Sequence, residues 1–320
     1  MITLKYVLAA PLIIVCFFVG TQSAAALTIS PVKVEVTGDP GQTLNGELEL
    51  LNEQAFTKVF YSSFENFEPS GDTGSPRFVG GGEGLATWLS APNSITVSTG
   101  ETVKIPYSIT IPAEAEAGGY FAAIFWGEQD PGTQEAGEVA IGGKLGVLIL
   151  LRVAGDIEES AGISEYMTNG LQFLKTHLPV EFSYRFKNDG GDRVVPLGDI
   201  VITNTFGGVA ATVKANPNEG SVLPDSARKF TVNWGESVPE NETQSFFSMA
   251  ARQFQDFHFG YYKANLSLVY GATNQTAESQ VGFIMLPWQL LVLLLIGLVM
   301  LVMLFKLYNR WIISKSLSKA

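Results

Sequence analysis

Apolar and polar positions alternate with a period of two along most of this chain. Val103, Ile105, Tyr107, Ile109 and Ile111 are apolar, and Lys104, Pro106, Ser108 and Thr110 stand between them. That pattern predicts a strand with one face in a core, and Pro106 points to a sheet edge or a bulge. Residues 44–50 alternate through Glu47 and Glu49, and Phe182, Tyr184 and Phe186 alternate with Ser183, Arg185 and Lys187. Further strands are expected at 27–36, 57–64, 120–126, 139–153, 199–204, 227–234 and 259–270, with a last one near 277–283. Turn signals separate them: Asp39-Pro40-Gly41, Asp130-Pro131-Gly132, Asn188-Asp189-Gly190-Gly191 and Asn216-Pro217-Asn218. No long amphipathic helix pattern appears outside the two ends. The expected fold class is all-β: two immunoglobulin-like β-sandwich domains in tandem, followed by a single transmembrane α-helix.

The stretch 155–170 opens with acidic and small residues without periodicity and is expected to be a linker. It separates an N-terminal sandwich, 27–154, from a membrane-proximal one, 171–283. One long stretch, 65–84, is expected to be irregular because Gly71, Gly74, Gly80, Gly81, Gly82 and Gly84 crowd it. A loop of that length is usually functional or disordered, so it reads as a mobile surface insertion or a ligand-contacting loop. Its Glu68, Asp72 and Glu83 match no calcium-loop spacing.

Both ends are apolar without alternation. Residues 1–26 read as a secretory signal peptide: Lys5, an apolar run to Gly20, then small residues up to Ala26. The alternative is an uncleaved anchor, for which the run is short. Cys16 lies inside it after the bulky Val15, which disfavours lipidation. It is the only Cys of the chain, so cleavage leaves a core with no disulfide to stabilise it. At the other end, residues 283–305 contain no ionisable group. A helix rising ~1.5 Å per residue spans a ~30 Å hydrocarbon core within that length. A transmembrane helix is therefore expected at 284–305. The tail 306–320 carries Lys306, Arg310, Lys315 and Lys319 and no acid, which places it in the cytoplasm and residues 27–283 outside it. Whether the ectodomain faces a periplasm or the exterior stays open.

Charge changes the picture once it is located. The 320 residues carry 20 basic and 31 acidic side chains, net -11. Five of the basic residues lie in the end segments and all the acids lie between them, so the ectodomain alone is near -16. Such a chain is a poor partner for nucleic acid. Anionic headgroups repel it, so the ectodomain is expected to stand off the membrane and to contact the bilayer through the C-terminal helix.

Catalytic chemistry is not legible. His177 and His258 are the only imidazoles, and neither accompanies a G-x-S-x-G serine. No H-E-x-x-H, P-loop or dinucleotide fingerprint occurs. No catalytic residue, metal ligand or cofactor is assigned, binding residues are unknown, and the expectation is a non-enzymatic protein. Tyr120, Phe121, Phe125 and Trp126 could form a sugar platform, although alternation turns some of them inward. Asn241, Asn265 and Asn274 open glycosylation sequons.

Several stretches resemble the WxL-interacting proteins of bacterial cell surfaces. Leu27-Thr28-Ile29-Ser30-Pro31-Val32 is similar to that family's opening strand, and Asp39-Pro40-Gly41-Gln42-Thr43 to the turn before its second strand. Trp88-Leu89-Ser90 through Ile95-Thr96-Val97 resembles a third landmark, and Ile111-Pro112 through Gly118-Gly119-Tyr120-Phe121 a fourth. The resemblance covers about 27–153 and implies a membrane-anchored surface adaptor that binds cell-wall polymer, such as peptidoglycan, and secreted surface proteins. A chaperone-like protein presenting an edge strand to exported subunits is the alternative reading, and a cell-wall hydrolase a further one.

Overall fold

The computed structural model describes residues 27–130, 143–170, 173–236 and 245–317. The expected signal, Cys16 and the sequon at Asn241 lie outside them. The chain divides into two compact units, one of residues 1–67, 78–116 and 120–154, the other of 68–77, 117–119 and 155–320.

In the first unit the alternation read from sequence becomes two-sidedness. Strands β3 (Thr43–Asn52) and β8 (Thr102–Thr110) pair antiparallel with Leu48 opposite Ile105. Leu48, Leu50, Ile105 and Ile109 turn inward and are buried, while Glu47, Glu49 and Lys104 face water. β1 (Leu27–Ser30) and β6 (Leu89–Ser90) complete this sheet, in the order β1-β3-β8-β6. The facing sheet runs β2 (Lys33–Gly38), β10 (Lys144–Val153), β9 (Gly118–Gly127), β4 (Lys58–Ser70) and β5 (Ser75–Gly80), and β7 (Ser94–Val97) pairs with the first residues of β4. β1 and β2 are consecutive in sequence yet lie in opposite sheets. Pro31, which has no N–H for a ladder, sits at the switch. Phe60, Trp126, Ile149 and Leu151 from the second sheet close the core against Leu48 and Leu50.

The second unit repeats the plan. One sheet is β11 (Ala161–Thr168), β13 (Val180–Asn188) and β16 (Ser226–Trp234). The other is β12 (Leu174–Lys175), β18 (Gln275–Met285), β17 (Gly260–Tyr270), β14 (Leu197–Thr203) and β15 (Val209–Lys214), in that order. Phe182, Tyr184 and Phe186, the alternating set of β13, pack against Ile200, Leu266 and Phe283. Burial pushes the Tyr166 and Tyr184 phenols well above their ordinary range. The fold is all-β in both units, with two immunoglobulin-like sandwiches and one C-terminal apolar helix.

Each unit ends a central strand on a fully buried asparagine. Asn52 closes β3: its Nδ2 donates to the carbonyls of Phe56 and Val97, each at 3.0 Å, and its Oδ1 accepts from Gln54 N. Asn188 closes β13 in the same way, donating to Asp192 and Val222 and accepting from Gly190 N. An Asx side chain that satisfies the backbone two residues on substitutes for the ladder where the strand stops.

Several expectations need correction. The stretch 155–170 is not a bare linker, because it contains β11, whose Ala161 pairs with Asn188 of β13. The stretch 65–84 is not an irregular loop. β4 runs on to Ser70, the chain turns through Gly71 and Gly74, β5 returns, and the short helix α1 (Leu85–Trp88) follows. The hairpin tip belongs to the second unit: the Asp72 carboxylate accepts from Arg185 Nη2 at 2.7 Å, and its carbonyl from Lys229 N at 2.7 Å. A helix that alternation did not reveal, α2 (Phe246–Gln255), precedes β17. Finally, residues 284 and 285 still belong to β18, and the apolar helix α3 runs Trp288–Leu317. Its segment Trp288–Ile313 is long and apolar enough to cross a membrane, and the protein buries none of its most apolar window.

Candidate functional site

β5 ends the second sheet of the first unit, and all six of its residues are exposed. A sheet edge with unpaired backbone groups is a template for another chain, and proteins usually blunt it. The opposite edge, β2, is blunted in this way: Lys33 and Glu35 form an ion pair at 2.7 Å along it. β5 is blunted likewise toward the hairpin tip, by Pro76 and by Arg77 paired with Glu68, but beyond them Phe78 and Val79 are exposed and apolar, on opposite faces of the strand.

Phe78 joins an aromatic row on the outer face of this sheet, linking Phe125 to Phe67. Its ring meets Phe125 edge-on with centroids 4.8 Å apart, and Phe67 at 6.2 Å. Phe67 reaches Phe121 at 5.9 Å. Alternation explains why these four share a face. On β9, Ala122, Ile124 and Trp126 point into the core, which turns Phe121 and Phe125 outward. On β4, Phe60 and Phe64 point inward, which turns Glu65 and Phe67 outward. Phe125 lies flat because Gly146 of the neighbouring strand has no side chain; a Cβ there would sit 2.6 Å from the ring. Lys144 covers the other flank, with its ammonium 4.2 Å from the Phe125 centroid, and forms an ion pair with Glu65.

Physically, this is a packed aromatic set beside a strand edge: Phe67 and Phe125 are buried in it, and Phe78 is its exposed ring. A polypeptide added to the edge would gain backbone hydrogen bonds, and a side chain on its outer face would meet the exposed ring of Phe78. It is not a sugar platform of the four aromatics singled out in sequence. Trp126 is fully buried and Phe125 nearly so. Tyr120 turns inward against Trp88 at 4.6 Å, and burial, aided by the Glu116 charge, raises its phenol.

The two histidines are not brought together. His177 lies in the second unit, where Nδ1 donates to the Leu178 carbonyl at 2.8 Å. His258 packs edge-on against Trp234 with centroids 4.8 Å apart, and Nδ1 donates to the Asp256 carbonyl. Among the described residues, no group of three or more His, Cys, Asp or Glu is placed to hold a metal ion. Asn265 is half-buried in β17, whereas Asn274 is exposed in the turn before β18.

Sequence reasoning missed the β4–β5 arm because its glycines concealed its symmetry. Phe67 and Phe78, and Glu68 and Arg77, lie equally far from the centre of the turn at Asp72 and Thr73. Both pairs are in contact, the second as an ion pair at 2.7 Å.

No protein-family model matches the chain, and no curated protein matches it. Among solved structures, the class 5 fimbriae chaperone CfaA aligns at 12% identity over 68% of this chain and 96% of its own, with a TM-score of 0.38. The CsuC–CsuE chaperone–tip adhesion subunit complex of Acinetobacter baumannii aligns at 11% identity over 80% of this chain and 98% of that one, with a TM-score of 0.36. A PapD-like domain of human CEP192 aligns at 14% identity over 42% of this chain and 91% of its own, with a TM-score of 0.30. Alignments this weak transfer no partner or activity to the present chain.

Proposed function

We propose that this chain is a membrane-anchored, non-enzymatic protein that holds an extended segment of an exported polypeptide by adding it as a strand to β5. The observation that carries the reading is the edge itself. β5 is exposed along its whole length, and Phe78 carries its side of the sheet into the aromatic row. The apolar helix α3 supports the anchor, and the basic, acid-free residues 306–320 support a cytoplasmic tail. Such a protein serves as a surface adaptor if the partner stays bound, or in a chaperone-like role if it is handed on.

The test is photo-crosslinking in cells expressing the full chain. A photoreactive phenylalanine replaces Phe78 in one strain and Thr212, exposed on β15, in another. The reading expects an adduct with an exported protein at position 78 that is absent at position 212. Equal labelling at both sites, or none at 78, sinks it.

A further inference from the structure

The exposed phenylalanines of the second unit are not scattered. Outside α3, among the described residues, they gather at the end from which α3 leaves, and they arrive there on separate elements. Phe206, 96% exposed, tops the turn after β14. Thr205 beside it donates through Oγ1 to the Tyr261 carbonyl at 2.9 Å, which sets that turn level with the start of β17. Gly260 pairs with Met285, so Phe259 lies level with the exit of β18. The carbonyl of Phe173 accepts from Ile284 N at 2.7 Å, which brings that exposed ring to the same level. Phe257 is exposed just before Phe259.

α2 completes the set. It is held against the first turn of α3 by Gln253, whose Oε1 accepts from Leu290 N at 3.0 Å and whose Nε2 donates to Gln289 Oε1. Phe246 meets Trp288 edge-on at 5.8 Å. With Phe246, Ala250 and Gln253 turned to that side, the adjoining stripe, about 90° round the helix, carries Phe247 and Phe254, which are 71% and 73% exposed. The apolar face of this helix is thus covered by protein along one flank only, and the flank with Phe247 and Phe254 stays exposed, while Ser248, Arg252 and Gln255 make up the polar side.

We infer that this end of the second unit is a lipid-binding collar, in which α2 and the phenylalanines at 173, 206, 257 and 259 lie in the headgroup–acyl boundary around the emerging α3. The occupant follows from continuity: the phenylalanines lie at the end of the unit from which the apolar helix leaves, and α2 packs on its first turn, where Trp288 sits half-exposed. Short amphipathic segments bury aromatic rings at this depth. Local charge agrees. Residues 245–263 carry one acid, Asp256, against Arg252 and Lys263, in an ectodomain that is strongly acidic elsewhere. The net charge of the ectodomain, which by itself keeps the protein off anionic lipid, is therefore misleading at this end.

The inference rests on α3 crossing a bilayer, and its test separates the two. The full chain, with Cys16 replaced by Ser, receives a single Cys labelled with an environment-sensitive fluorophore and is reconstituted in phosphatidylcholine nanodiscs with or without nitroxide lipid. The variants are Phe206→Cys, Phe254→Cys, Ile296→Cys within α3, and Ala272→Cys in the turn at the far end of β17. The collar predicts blue-shifted emission at 206 and 254 and loss of most of it to nitroxide lipid, as at 296, with the label at 272 unaffected. Quenching at 296 but not at 206 and 254 overturns the collar and leaves the membrane helix standing. A blue shift at 206 and 254 without quenching means that protein covers the phenylalanines, and it overturns the collar too. No quenching at any site overturns both.

Discussion

Gln253 and Gln289 are buried against each other, side-chain amide to side-chain amide, Nε2 donating to Oε1 at 2.5 Å. The pair joins α2 to the first turn of α3. It is a polar joint in an otherwise apolar region, so its groups depend on each other for hydrogen bonds. Gln253 also donates to the Thr176 carbonyl and accepts from Leu290 N. One side chain thus binds the loop before β13, α2 and α3 together.

Replacing Gln253 by Leu should leave the Gln289 amide and Leu290 N–H buried without partners, at about 1–3 kcal/mol for each unsatisfied group. The expected result is faster amide exchange across α2 and the first turn of α3, with β13 and β17 protected as before. Unchanged exchange in α2 would show that apolar packing alone holds it.

The buried asparagines Asn52 and Asn188 should each be worth more than an ordinary surface polar residue. Asn188→Ala removes the donor to two carbonyls and the acceptor for Gly190 N, and Asn52→Ala removes the donor to two carbonyls and the acceptor for Gln54 N in the first unit. A loss of about 2–4 kcal/mol is expected for each. Denaturant unfolding followed by limited proteolysis checks this, since Asn52→Ala should expose the first unit and Asn188→Ala the second. A loss below about 0.5 kcal/mol, the range of neutral surface changes, contradicts the assignment.

Gly198 should tolerate no side chain. It lies in β14 with φ +156°, and a Cβ would sit 2.0 Å from the Ser267 carbonyl oxygen of the paired strand β17. Backbone cannot swing aside as a side chain can. Gly198→Ala is expected to cost at least about 2 kcal/mol, whereas Gly207→Ala, with open space around its Cβ, should cost less and only through its positive φ. Melting temperatures of the two variants compare them directly.

Stability should fall in alkali. Burial raises the Tyr166 and Tyr184 phenols, with the Arg228 charge opposing the shift at Tyr184. The folded state therefore keeps protons that the unfolded chain gives up near pH 10. Below that pH the stability is fully present, and it declines as pH rises toward the folded-state values, by up to about 1.4 kcal/mol per pH unit for each tyrosine. Tyr166→Phe and Tyr184→Phe should each flatten the decline between pH 10 and pH 11 in urea titrations. A wild-type stability that stays level over that interval would rule the effect out.

Alternation by itself determined that the chain is built of strands, and which face of each strand is inside. Leu48, Leu50, Ile105, Phe182, Tyr184 and Phe186 are buried as their period demands, because a strand has only two faces and water selects between them. The apolar C-terminal segment was equally legible, since its length and lack of charge need no partner to interpret. Tertiary structure alone decided the rest. Twofold alternation says nothing about which strand ends a sheet, so the edges at β5 and β2 appear only when strands are placed side by side. The glycines at 71 and 74 form a hairpin turn instead of an unstructured insertion, because Phe67 finds Phe78 and Asp72 finds Arg185 across distances in sequence that no local pattern spans. The phenylalanines at 173, 206, 254 and 259 are scattered in sequence and come to one end of the second unit because sheet pairing and the Gln253 contact bring their elements there.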